Sequence, residues 1–96
     1  MEWSKGEEKI CCAAAVAEYV QEKSSKDGEV FLNELKEKGE FSKRDIGSMR
    51  MRLQNVKAVL DELKIENTLP FSPLSNASKQ TRETLAQELK NAGIVH

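Results

Sequence analysis

Histidine is nearly missing from this 96-residue chain: the single one, His96, is the last residue. General acid–base chemistry near neutral pH rests most often on histidine, so no hydrolytic or proton-transfer centre is expected. There are two cysteines, adjacent in the apolar run ICCAAAVA as Cys11 and Cys12. Neighbours on a helix point about 100° apart, so the pair neither bridges readily nor chelates one metal. Their spacing fits no CxxC or zinc pattern, and without an internal histidine neither has a base to activate it. Both read as small buried hydrophobes in a reducing compartment. No enzyme activity, metal site or cofactor is expected.

Other absences narrow the class further. No eighteen-residue apolar run occurs, so no helix is expected to span a membrane. The opening MEWSKGEEK carries acids where a secretion signal needs basic residues, and a cytoplasmic protein is expected. No strand-like alternation, internal repeat or phosphate-cradling glycine pattern appears; Gly28, Gly39 and Gly47 read as helix punctuation. The net charge of −1 argues against a generic polyanion binder. Any nucleic-acid contact must be local.

What is present reads as helices. The length suits one domain over residues 1–96, enough for a single core that buries somewhat over ~60% of the extended surface. Ser4 with Glu7 three residues on has capping-box spacing, and Ile10, Ala13, Ala14, Ala17 and Val20 follow at helical intervals to about Glu22, the alanines making a slim face that lets another helix approach closely. Trp3 is expected to staple against this helix or the core, and Tyr19 to be half-buried with a wet hydroxyl. Asp27 is placed to cap a second helix bearing Phe31, Leu32 and Leu35, with Gly39 as its stop. Gly39 to Gly47 is the turn region, with room for one short helical turn led by Ser42.

A third helix from near Gly47–Ser48 to Lys64–Asn67 carries Met49, Leu53, Val56, Leu60 and Leu63, spaced 4, 3, 4 and 3. Met49 belongs to the core and Met51 to either environment. Residues 65–77 hold both prolines, which keep the chain extended; Ile65, Leu69, Phe71 and Leu74 are expected to lie across the helices. A last helix runs from about Ser78 to Asn91, with Leu85, Ala86 and Leu89 inward and Gly93 as its stop. The expected fold is all-α: four helices, a helix-turn-helix-like core and an extended proline-containing loop before the last helix.

Charge is distributed unevenly along this frame. Residues 42–57 sum to +4, against −4 before them and −1 after. On the third helix Arg50, Gln54, Lys57, Asp61 and Lys64 make a second stripe opposite the leucines, flanked by Arg52 and Asn55. Arg, Gln and Asn match guanine and adenine edges in the major groove, and helix-turn-helix proteins read bases with the start of the second helix. Ser48 and the helix-start amides are placed to take a phosphate, and Lys43 and Arg44 to reach the neighbouring backbone. The candidate DNA-binding residues are Lys43, Arg44, Ser48, Arg50, Arg52, Gln54, Asn55 and Lys57. The competing explanation is plain: a polar helix face of this composition is the ordinary wet side of an amphipathic helix.

Trp3-Ser4-x-x-Glu7-Glu8, and then Arg44 to Asn55 (RDIGSMRMRLQN), resemble the helical N-terminal module found ahead of HNH-type nuclease domains in predicted modification-dependent restriction enzymes. Those modules show a W-(S/T)-x-x-E start and a stretch like R-x-x-x-S-(V/M)-x-M-(R/K)-L-x-N; the tryptophan and paired acids are also similar to the opening of Myb-related three-helix domains. The resemblance covers roughly residues 3 to 75. It implies a DNA-contacting or DNA-associated module in which Arg50, Arg52, Gln54 and Asn55 match the polar motif, with Asn55 serving either the DNA or the turn. The HNH constellation itself is absent from this chain. A stand-alone copy would be a mobile-element product, an accessory to a nuclease encoded elsewhere, or a relic with another partner. Expected partners are therefore double-stranded DNA and a nuclease subunit. Alternatively, the chain is a protein-interaction module or homodimer that uses the alanine face of helix one or the proline loop.

Overall fold

The structure, a computed structural model, describes residues 4–37, 41 and 44–94. Trp3, Gly39, Ser42, Lys43 and His96, each given a role above, lie outside the described residues. Helix α1 (Lys5–Val16) runs directly into a π-helical segment (Ala17–Gln21). Helices α2 (Gly28–Glu37), α3 (Ile46–Glu62) and α4 (Lys79–Asn91) follow, and no strand occurs among the described residues. The all-α class is as expected. Helix α1 packs on α4 and α3, while α2 and α4 each pack on α3.

Short-range chemistry sets most of the boundaries. The Ser4 hydroxyl accepts the Glu7 N–H at 3.1 Å and Glu7 accepts the Ser4 N–H at 3.0 Å, so the capping box closes. Ser78 caps α4 by accepting the Thr81 N–H. Helix α4 ends in a Schellman turn: the Gly93 N–H reaches the Lys90 carbonyl, the Ile94 N–H reaches the Leu89 carbonyl, and Gly93 takes φ +111°. The same turn ends α3, with the Lys64 N–H on Asp61 and the Ile65 N–H on Leu60. There the left-handed residue is Lys64, at φ 58°.

The core is a continuous cluster drawn from every helix. Met49, Leu53, Val56 and Leu60 of α3 are fully buried at its centre, as their spacing predicts, and Leu63 packs at its margin. Leu85 and Leu89 come from α4, Phe31, Leu32 and Leu35 from α2. One expectation is met and two need correction. First, α1 buries its two cysteines, as expected, and keeps Ala13 and Ala17 on its slim outer side. Ala15, Val16 and Tyr19 are buried with Cys11 and Cys12, leaving Ile10, Ala14 and Val20 half-covered. From Ile10 to Ala17 the helix is apolar all round, so periodicity does not choose a face; contact with α3 and α4 does. Second, Tyr19 is fully buried, its hydroxyl donating to the Lys26 carbonyl at 3.0 Å and its ring edge-on to Phe31 at 5.0 Å. Third, α3 starts at Ile46 with Asp45 as its cap, because the aspartate oxygen reaches the Ser48 N–H at 2.7 Å.

The proline loop closes one side, as expected. Leu69 is buried, while Ile65 and Phe71 pack on the core. Thr68 donates its N–H to the Tyr19 carbonyl at 2.8 Å, so the loop satisfies an acceptor of the π segment. Gly28 has a packing role beyond punctuation. A Cβ there would lie 3.2 Å from two ring carbons of Phe71, so the bare backbone of α2 is what admits the ring.

Candidate functional site

The expected DNA-binding residues divide sharply by surroundings. Arg44 is only 6% exposed. Its Nε and Nη2 each donate to Glu7 at 2.7 Å, a bidentate grip across 37 positions of sequence. The guanidinium holds the Glu7 carboxyl down at about 2. Arg44 is thus a bolt between the start of α1 and the entry to α3. A buried, forked ion pair of this kind does not open for a surface phosphate without leaving Glu7 uncompensated.

Ser48 gives its amide to Asp45, whose carboxyl the Ser48 N–H and hydroxyl hold below the usual range. The start of α3 is therefore capped by the chain's own anion. Asn55 is 5% exposed and donates Nδ2 to the Leu74 carbonyl at 2.8 Å and to Asn76 Oδ1 at 3.0 Å. These bonds brace the proline loop. Lys57 donates to Asn67 Oδ1 at 3.0 Å and lies 3.5 Å from Asp61. Arg52 is half-buried, and its charge acts on Glu8, whose carboxyl burial pushes up. Arg50 forms an ion pair with Glu29 of α2, with the two side chains 39% and 57% exposed. Gln54 is half-exposed and its carbonyl accepts the Leu74 N–H. The structure brings Arg50, Gln54 and Lys57 to one stripe and spends Arg44 and Asn55 inside the fold. Lys43 lies outside the described residues.

A different surface was not singled out by sequence. Between the π segment and α2 lies a cleft of about 300 Å³, lined by Ala14, Ala17, Glu18, Glu22, Lys26, Phe31, Glu34 and Leu35. Lys26 Nζ sits 2.9 Å from Glu18 and 2.9 Å from Glu34, tying the two walls together. Only the four-residue interval between Glu18 and Glu22, beside Ala14 and Ala17, hinted at it. The outer face of α1 continues from this cleft through Ala13 to Ile10.

The cysteines are inert by geometry. Both are fully buried, and desolvation raises both thiols, Cys11 to about 12. Among the described residues no group of three or more His, Cys, Asp or Glu side chains is placed to hold a metal ion, and no helix is long and apolar enough to cross a membrane. No protein-family model, curated protein or solved structure matches this chain.

Proposed function

We propose that this chain is a non-catalytic accessory module that works by holding a protein partner, in the setting its motif resemblance implies, a cytoplasmic nuclease or restriction system. One observation carries this reading: the slim apolar face that runs from α1 into the π segment leaves Ala13 and Ala17 exposed and Ile10, Ala14 and Val20 half-covered. Alanine presents no bulk beyond Cβ, so a partner helix can approach such a face closely. Two of the residues that carry the resemblance are engaged internally, Arg44 with Glu7 and Asn55 with the loop. That favours a shared scaffold over a shared base-reading surface.

The test introduces Ala13→Arg, which adds bulk and charge on an exposed position. Affinity capture should recover a nuclease subunit, or sedimentation a second copy, with the parent protein and not with the variant, whose circular dichroism should be unchanged. Equal capture by both, or a strict monomer that captures no nuclease, overturns the reading.

Direct contact with double-stranded DNA is a second reading, favoured by the shared stripe of Arg50, Gln54 and Lys57. The Arg50–Glu29 pair is a surface pair, worth at most about 1 kcal/mol, so a phosphate could replace Glu29. Fluorescence anisotropy on mixed duplexes at low salt is the check. Binding that falls steeply with salt, and weakens by about 1–3 kcal/mol in Arg50→Ala, supports it. No binding at tens of micromolar protein removes it.

A further inference from the structure

The cleft between the π segment and α2 has a specific chemistry. Its walls are apolar, with Ala14 and Ala17 on one side and Phe31 and Leu35 on the other, and its rim carries Glu18, Glu22 and Glu34 against one cation, Lys26. The rim already holds an ammonium group. Lys26 reaches from the chain between the π segment and α2 to place Nζ against two carboxylates at once, and those carboxylates raise its affinity for its proton. Glu22 is exposed, and the rim as a whole retains a net charge of −2. π-helical turns, rare in proteins, are found frequently at functional sites; here that turn carries Ala17 and Glu18 into the cleft wall.

We propose that this cleft docks a cationic amphipathic helix of a protein partner, an aliphatic side chain entering between α1 and α2 while flanking Lys or Arg residues pair with Glu22 and with Glu18 or Glu34. Charge complementarity selects this occupant over an acidic segment or a nucleic acid, both of which the three carboxylates repel. Helix-in-groove recognition has the same layout, apolar anchors at helical spacing within a charged margin. The proposal rests on the protein-binding reading above and adds the site and the partner's chemistry.

The experiment titrates the full ¹⁵N-labelled chain with three synthetic peptides: a Lys/Leu/Ala amphipathic helix, its counterpart with Glu for every Lys, and a scrambled Lys/Leu/Ala sequence that cannot form an apolar stripe. Shift changes at Ala14, Ala17, Glu18, Glu22 and Glu34 with the first peptide alone are expected. The double charge reversal Glu18→Lys with Glu22→Lys should weaken that binding roughly tenfold, two surface ion pairs' worth, while circular dichroism shows the fold intact. Equal response to the scrambled peptide, insensitivity to the charge reversal, or no shifts at all overturns the proposal. Shifts confined to Ile10, Ala13 and Val20 overturn the cleft but leave the protein-binding reading standing. A concentration-dependent dimer abolished by the charge reversal assigns the cleft to a second copy and overturns the cationic-partner assignment.

Discussion

Arg44 and Glu7 meet through two 2.7 Å hydrogen bonds, the guanidinium fork against the carboxylate fork. The same Glu7 carboxylate also accepts the Ser4 N–H and so completes the capping box of α1. One side chain thus caps a helix and receives the turn leading into α3. Cutting either partner is expected to cost about 3 kcal/mol, because the other charge stays behind with little solvent. Urea unfolding of Arg44→Ala and Glu7→Gln checks this, and Arg44→Lys should recover only part of the loss.

The pH dependence follows from the same contact. Glu7 is held down at about 2 when folded, against 4.5 ordinarily. Its stabilising contribution is therefore fully present above about pH 4.5 and lost as pH falls toward 2. Glu8, next in sequence, is 7% exposed and burial moves it the other way, so its ionisation disfavours the folded state as pH rises. Urea titrations from pH 2 to 7 should show Glu7→Gln flattening the acid loss of stability. Glu8→Gln should leave that acid loss in place and raise stability at neutral pH.

Asn55 holds the proline loop through a bond to Leu74 and another to Asn76. Asn55→Ala should destabilise by about 1–3 kcal/mol, since the Leu74 carbonyl loses its donor in a partly buried place. Hydrogen exchange gives the local signature: the Leu74 amide, bonded to the Gln54 carbonyl, should lose protection first.

Lys64 sits at φ 58° in the turn that ends α3, where a Cβ crowds the following carbonyl. Lys64→Gly should stabilise the protein by about 1 kcal/mol in thermal or urea unfolding. The equivalent position after α4 is already Gly93, so Gly93→Ala should destabilise.

Cys11 and Cys12 should resist an aromatic disulfide reagent in the native state and react when urea is added. Both are 0% exposed with thiols raised by burial. Rapid labelling in buffer would contradict the packing of α1.

Local signals were readable wherever one short-range interaction dominates. Ser4 with Glu7, Ser78 and Gly93 mark helix ends because their partners lie within a turn or so, and the 4, 3, 4, 3 spacing from Met49 identifies the buried face of α3 because its other faces are polar. By themselves these residues determined an all-helical chain with one apolar rod at its centre. The tertiary structure decided how the rest of α1 divides between core and surface, since ICCAAAVA is apolar on both sides and only contact with α3 and α4 ranks them. It also decided the fate of the cations. Arg44 looks like a phosphate ligand in sequence, but its partner Glu7 stands 37 residues away, and only folding brings so distant a carboxylate close enough for Coulomb attraction to fix the guanidinium inside.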